Sequence, residues 1–325
     1  EVIPAGSVPT YPITEGKAAR IMTGAPVPEG ADAIIMHERT SFTENTVTLT
    51  APVTSANIIP PGEDVAAGTL LVPKGKILTA SDLALIAGQG IAEIGVYKKL
   101  SIGLISTGSE LLNTGSPLEY GKIYNTNPYL LGGYIQKHHM TANYLSTVRD
   151  DLDSLCRAVL EALKTNDIVI TTGGVSAGDF DYMPEVIRRI GGDLLFHRLK
   201  FKPGGAMLGA FKDGKVILGL SGNPGAAATG LLCVGFPFMR KLSGRSDITF
   251  SQTTAYLGVD FKKSSPVTRI LKGHSDFKNG MLYFTPLSNQ HNGSVSSMSD
   301  CDLLAIIPAG SKPLAAGDKL EVYIL

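Results

Sequence analysis

The sequence predicts a multidomain chain of α/β and β type: a central three-layer α/β domain with a mostly parallel sheet, flanked by an N-terminal β-rich domain and a C-terminal β domain. Three observations predict it. The chain has 325 residues, beyond the size at which one hydrophobic core keeps growing. Between Lys99 and Gly244 apolar strand-like runs alternate with helical ones, the order of a parallel sheet with crossover helices. On either side the texture changes to short alternating runs bounded by Pro, Gly and Thr, which is the punctuation of β structure.

The elements follow in chain order. Residues 1–67 form the β-rich domain, with strands expected at 33–36 and 46–49. Residues 68–98 read as a connector, or the remnant of a dimerisation domain, with one helix at 81–87 and Ser81 placed to accept from its first-turn amides. Residues 99–246 form the α/β domain. Strands are expected there at 101–106, 142–148, 167–172, 193–196, 207–211 and 216–220. Helices are expected at 129–138, 151–165 and 183–190, and from near Pro224 toward Leu242. Residues 247–325 form the C-terminal β domain, with strands at 254–259, 281–285, 303–308 and 319–325.

Composition removes several classes of function. The 29 basic residues balance 29 acidic ones, so the electrostatic footprint of a general nucleic-acid binder is missing. A small anion held by local charge remains open. Cys156, Cys233 and Cys301 are too widely spaced for a disulfide framework or a paired metal motif. The adjacent His138 and His139 suit no metal geometry and read as surface residues. Apolar runs stop far short of the roughly 18 residues of a spanning helix, so no membrane partner is expected. The chain opens Glu-Val-Ile-Pro with no initiator Met, basic leader or apolar signal core. That opening directs nothing outward and is compatible with a fragment, so a cytoplasmic location is expected.

The strongest local motif is the apolar strand that empties into Thr172-Gly-Gly-Val-Ser-Ala-Gly-Asp-Phe-Asp181. Gly173, Gly174 and Gly178 let successive amides point at one spot, which is how peptide groups hold a phosphate. Ser176 can add a hydroxyl. Asp179 and Asp181 at the same turn would repel a phosphate unless a divalent cation such as Mg²⁺ bridged them. A second strand runs into Ser106-Thr107-Gly108-Ser-Glu110, where the hydroxyls could equally cap a helix and Glu110 favour its dipole. A third runs into Gly222-Asn223-Pro224, with Pro at a helix start and free amides behind it. Three glycine-rich strand ends in one sheet favour a phosphate-bearing ligand. None has the dinucleotide or Walker A spacing.

Two charged stretches complete the set. Alternation would put Arg198, Lys200 and Lys202 on one strand face as an anion clamp, or as the basic guard of an edge strand. Asp150 and Asp151 are acids at a helix start, where either could serve as the cap.

In order, Arg20-Ile-Met-Thr-Gly-Ala-Pro-Val-Pro28, Pro61-Gly-Glu-Asp64, Ser106-Thr-Gly-Ser-Glu110, Tyr124-Asn-Thr-Asn127, Arg149-Asp150-Asp151, Gly173-Gly-Val-Ser-Ala-Gly178, Lys202-Pro-Gly204 and Gly222-Asn-Pro224 resemble the molybdopterin molybdenumtransferase family, the MoeA-type proteins that include the gephyrin E domain. The resemblance implies insertion of molybdate into adenylylated molybdopterin with loss of AMP, dependent on Mg²⁺ or another divalent cation. The central domain would bind the pterin.

The resemblance also assigns residues. Asp181, Glu110, Asp150, Asp64 and Thr23 would be catalytic, with Glu110 and Asp181 holding the metal. Thr107, Gly108, Gly173, Gly174, Ser176, Arg198, Lys202, Gly222, Asn223 and Pro224 would hold the pterin and its phosphates. It implies a homodimer in which Thr23 and Asp64 face the acids of the other subunit, and a molybdopterin adenylyltransferase as a further partner. An acid-bearing Asp-Gly-Tyr-Ala motif would precede Glu1. The chain departs from the family at Ser109 and Asn125, where Asp is usual, and at Gly205, Ser221 and Ala226, where Lys, Pro and Ser are usual. The missing ammonium at Gly205 and hydroxyl at Ala226 predict molybdate binding weaker than in relatives with Lys-Pro-Gly-Lys, which Gly205→Lys would strengthen. Two alternatives stand beside this reading: a non-catalytic pterin-binding or scaffolding homologue, and a phosphohydrolase of the same central fold.

Overall fold

The computed structural model describes residues 1–176 and 181–325. Two compact units divide the chain, Glu1–Leu71 and Val72–Leu325. In the first, Val2–Ile3 pairs in parallel with Arg20–Ile21, and Thr40–Phe42 forms a hairpin with Val47–Leu49. The strand expected at 33–36 does not form. Only Ile34 bridges there, to Thr54.

The second unit opens with helix α1 (Ala80–Gly88). Its cap is Thr79, not Ser81, because the residue three positions after Thr79 is an acid. Thr79 Oγ1 accepts from the Asp82 amide, and Asp82 Oδ2 accepts from the Thr79 amide, a reciprocal capping box.

The central domain carries strands β1 (Ser101–Thr107), β2 (Thr141–Val148), β3 (Ile168–Thr172), β4 (Asp193–His197), β5 (Leu208–Lys212) and β6 (Lys215–Leu220). Their order in the sheet is β4-β5-β6-β3-β1-β2. The β6, β3, β1 and β2 pairings are parallel, while β5 runs antiparallel to both of its neighbours. The reversal is local chemistry. Lys212 pairs with Lys215 across Asp213-Gly214, and both turn residues have positive φ (48° and 78°), the primed turn that suits the twist of a two-residue hairpin.

Helices α2 (Asn127–Lys137), α3 (Leu152–Thr165), α4 (Met183–Arg189), α5 (Pro224–Gly230) and α6 (Phe236–Leu242) cover the sheet, a π-helical turn at Leu231–Gly235 joining the last two. Period-two alternation sends Ile168, Ile170 and Leu218 to one face, where Leu131, Ile135 and Phe236 cover them. It sends Val169 and Ile217 to the other, against Val159 from α3 and Val186 from α4. The result is three layers, and each fully buried aliphatic side chain contributes roughly 1.5–3 kcal/mol.

Strands β7 (Gln252–Leu257), β8 (Thr268–Lys278), β9 (Met281–Pro286), β10 (Leu303–Ile307) and β11 (Lys319–Ile324) form the C-terminal domain. Their order is β8-β9-β7-β11-β10, and β10 pairs back with β8, so the sheet closes into a five-stranded barrel. The longest strand, β8, was not expected from sequence. Lys272, Gly273 and His274 interrupt its apolar alternation, yet Gly273 is needed there: a methyl on it would lie 2.2 Å from the Phe284 ring.

His138 is also not the surface residue expected. It ends α2 half-buried, edge-on to Phe236 (4.4 Å) and Phe250 (5.2 Å). Among the described residues no helix is long and apolar enough to cross a membrane.

Candidate active site

The three glycine-rich turns follow the carboxyl ends of β1, β3 and β6, which are neighbours in the sheet. From β1 the chain passes to β2 on one side and then crosses back to β3 on the other. The switch in strand order therefore falls between β1 and β3, where open α/β sheets form their ligand crevice.

The turns touch one another there. The Gly173 amide donates to Leu220 O (2.9 Å), tying the end of β3 to the end of β6. Gly173 has φ +101°, and a methyl on it would lie 2.4 Å from Thr107 Oγ1 and 2.7 Å from Thr107 O. A methyl on Gly222 would lie 3.6 Å from Gly173 Cα. Asn127, at the start of α2, donates from Nδ2 to Gly222 O (2.9 Å). Thr107, Gly108, Gly173, Gly174 and Gly222 thus form one wall.

Two buried polar atoms at this wall, Thr107 Oγ1 and Asn127 Oδ1, have no hydrogen-bond partner among the described residues. Each such deficit costs on the order of 1–3 kcal/mol, and deficits of this kind call for a functional explanation. Below the wall, Thr172 Oγ1 donates to Ser106 Oγ (3.3 Å). Ser106 Oγ donates to Asn125 Oδ1 (3.3 Å), and Asn125 Nδ2 donates to Thr147 Oγ1 (3.2 Å). This chain stitches the ends of β3, β1 and β2 together.

The acids divide by role. Glu110 folds back over Gly108, its Oε2 2.7 Å from where a Gly108 methyl would sit. Asp150 Oδ2 accepts from the Ser109 amide (3.1 Å), joining the turns after β1 and β2. Asp151 is the cap of α3, accepting from the Ser154 amide (2.8 Å). That backbone bond holds its carboxyl below the ordinary carboxylate range. Asp181 is half-buried, two residues before Met183, whose amide donates to Gly174 O (3.0 Å). Glu110 and Asp181 are therefore borne by turns after adjacent strands. Gly178 and Asp179 lie outside the described residues. Among the described residues no group of three or more His, Cys, Asp or Glu side chains converges on a metal position. Thr23 and Asp64 lie in the Glu1–Leu71 unit, both exposed, in a turn and a bend.

The basic clamp does not form as expected. Strand β4 stops at His197, and Arg198 takes a left-handed conformation (φ +68°), which breaks the alternation that was to align Arg198, Lys200 and Lys202. Arg198 instead donates to Ser176 O (2.7 Å), bracing the glycine-rich loop. Lys202 is exposed on a two-residue strand, Phe201–Lys202, that pairs with the start of β8.

Gly205 cannot be the site of a lost ammonium. A methyl built there would lie 2.2 Å from Phe201 O and 2.4 Å from Leu199 O, both backbone atoms. No side chain fits this backbone, contrary to the expectation that Gly205→Lys would strengthen binding.

The sequence reading missed a cation that the barrel delivers. Lys272 is fully buried on β8. Its Nζ lies 3.1 Å from where a Gly225 methyl would sit, at the start of α5 and directly behind the Gly222-Asn223-Pro224 turn. It donates to Ser297 Oγ and to His291 O (3.2 Å), and no carboxylate pairs with it among the described residues. Burial pushes the pKa of its ammonium down. The same barrel loop supplies Asn292 O, which accepts from the Ala226 amide (3.2 Å). The signal in the sequence was a Lys inside an apolar strand pattern.

A three-layer α/β domain with glycine-lined strand ends, followed by a small β-barrel, is the architecture of molybdopterin-handling proteins to which the chain is similar. Residues 103–241 match the model of a probable molybdopterin binding domain, residues 1–90 the MoeA N-terminal region (domains I and II), and residues 254–325 the MoeA C-terminal region (domain IV). A molybdopterin molybdenumtransferase of Staphylococcus aureus is 36% identical over 323 residues, covering 99% of this chain and 77% of the relative. One of Staphylococcus epidermidis is 34% identical with the same coverage. The crystal structure of a molybdopterin biosynthesis MoeA protein from Pyrococcus horikoshii superposes with a TM-score of 0.84 at 27% identity, covering 99% of this chain and 79% of that one. The chain belongs to the molybdopterin molybdenumtransferase (MoeA) family.

Proposed function

We propose that the crevice at the ends of β1, β3 and β6 binds adenylylated molybdopterin and that the chain inserts molybdate into it, releasing AMP in molybdenum cofactor biosynthesis. The carrying observation is that three glycine-lined strand ends meet beside the turns bearing Glu110, Asp150 and Asp181, in a chain similar over nearly its whole length to molybdopterin molybdenumtransferases. That similarity favours transfer over a phosphohydrolase or a non-catalytic scaffold.

In this reading the amides around Gly173, Gly174 and the Gly222-Asn223-Pro224 turn take phosphate and molybdate oxygens, with the hydroxyls of Thr107 and Ser176. Arg198 and Lys202 provide positive charge at the open side, and Lys272 raises the potential behind α5. Glu110 and Asp181 would hold a Mg²⁺, an ion that one or two carboxylates suit. It would supply positive charge against the adenylyl phosphates. Asp150 fixes the Ser109 amide at the crevice rim. Thr23 and Asp64 complete the set from the second copy of a homodimer, and the molybdopterin adenylyltransferase that makes the substrate is the partner. A cytoplasmic location follows from that pathway.

The test is molybdate-dependent AMP release. Asp181→Ala is expected to leave folding and pterin binding intact and suppress release, because a metal-positioning carboxylate acts chiefly in the transition state. Glu110→Ala should act at the same step, and the double variant should lose less than the sum of both. Turnover of Asp181→Ala equal to the parent, or AMP release indifferent to molybdate, would overturn the reading.

A further inference from the structure

Helix α2 starts at the crevice, where Asn127 holds Gly222 O, and ends ten residues later, at Lys137, at a second cavity of about 550 Å³ between the central domain and the barrel. Lys137, His138 and Arg240 line it from the ends of α2 and α6, and Thr249 and Phe250 from the segment that leads into β7.

Arg240 is unusual in this place. It is only 5% exposed, and its guanidinium lies 4.3 Å from the centre of the Phe250 ring. One terminal nitrogen donates to Thr249 O (2.7 Å) and the other to His138 Nδ1 (3.3 Å). Of five guanidinium N–H groups these two bonds use two, and the buried Nε has no acceptor among the described residues. No carboxylate pairs with it among those residues. The acid at the cavity, Asp247, is engaged by Arg245 (2.8 Å). Asp247 acts on Arg240 only at longer range, and a buried cation with no carboxylate in contact among the described residues is costly. Because His138 accepts at Nδ1, its ring proton is on Nε2, so the imidazole is a second donor. Burial and the neighbouring Arg240 push its pKa down to about 4, so the ring is neutral at physiological pH. The Lys137 ammonium adds a third donor at the rim. The walls therefore carry three donors, two of them cationic, and the Asp247 carboxylate is engaged by Arg245.

We propose that this cavity is a second ligand site, separate from the crevice, that takes a small oxyanion such as phosphate or a phosphomonoester with Arg240 as its anchoring cation. The anion accepts from the terminal N–H groups that Thr249 O and His138 do not use, and the Phe250 ring packs against the guanidinium.

The experiment titrates inorganic phosphate into the full chain while the imidazole NMR signals of His138 are followed, these being assigned by their loss in His138→Gln. His138 lies at the opposite end of α2 from the crevice and lines the cavity, which makes its signals a local probe. A saturable shift is expected, with affinity reduced about ten- to hundredfold in Arg240→Met, the effect of losing hydrogen bonds from a charged donor. Lys137→Ala, a change at an exposed position, should weaken binding severalfold and keeps the test alive if Arg240→Met fails to fold. His138 signals that ignore phosphate in the folded parent would overturn the proposal and leave Arg240 as a structural cation bonded to Thr249 O and His138 Nδ1. Equal affinity in parent and both variants would overturn it too.

Discussion

The central sheet and the C-terminal barrel are both built from alternating apolar strands, but they treat their ends differently. The central sheet is open, and its parallel strands β1, β3 and β6 all discharge at one end, where glycine turns crowd together. The barrel closes β10 onto β8, so its strand ends do not gather at one open edge. Parallel topology therefore creates a crevice from backbone alone. A closed barrel contributes to that crevice only through side chains and a loop, here Lys272 and the residues around Asn292. If this contrast is right, the central domain should be sensitive to backbone changes and the barrel to charge changes.

The largest expected effect tests the backbone half. Gly173→Val places a branched side chain at φ +101° and drives it into Thr107. AMP release should fall by at least about hundredfold, the scale of losing preorganised donors, with circular dichroism still native. Activity within tenfold of the parent would mean that the Gly173 amide and its turn are not part of the site. Next is Gly205→Lys, where the added side chain meets backbone oxygens on both sides. The cost should be about 3 kcal/mol or more in denaturant unfolding. A stable variant would show that the loop has a second conformation with room for a side chain.

How much of this was readable from sequence follows the same divide. Period and length marked the strands and helices of the central domain, and glycine turns marked the crevice, because both are local properties of a few consecutive residues. The Asp213-Gly214 turn was also local. Its two residues carry the hairpin signal that explains why β5 is antiparallel in an otherwise parallel sheet. What the sequence hid was long-range. The place of Lys272 beside Gly225 depends on barrel closure. The place of Arg240 beside His138 depends on two helix ends meeting across 102 residues. The supposed strand face bearing Arg198, Lys200 and Lys202 failed for the opposite reason: one left-handed residue ended the period, and alternation cannot foresee that.

Lys272→Met tests the charge half. Replacing a buried ammonium that no carboxylate pairs among the described residues with an apolar side chain of similar length should leave the melting temperature unchanged or raise it. Molybdate-dependent AMP release should fall about ten- to hundredfold, the loss of one charged contact. Arg at this position should restore part of the activity. A variant that loses stability and activity together would make Lys272 a structural residue and remove the barrel from the site.

The smallest effect separates two adjacent acids that sequence could not tell apart. Asp151 caps α3 through the Ser154 amide, whereas Asp150 accepts from the Ser109 amide at the rim of the crevice. Asp151→Ala should therefore lower the melting temperature by a few degrees, as loss of an N-cap does, and leave AMP release near the parent value. Asp150→Ala should do the reverse. The pH dependence sharpens the assignment. The Ser154 bond holds the Asp151 carboxyl below its unfolded value, so its stabilisation is complete above the unfolded pKa of about 4 and is lost as pH falls through the folded one. The melting temperatures of Asp151→Ala and the parent should differ at neutral pH and converge in acid. A gap that persists undiminished at low pH would show that the destabilisation does not come from the ionised cap, and the division of labour between the two acids would have to be redrawn.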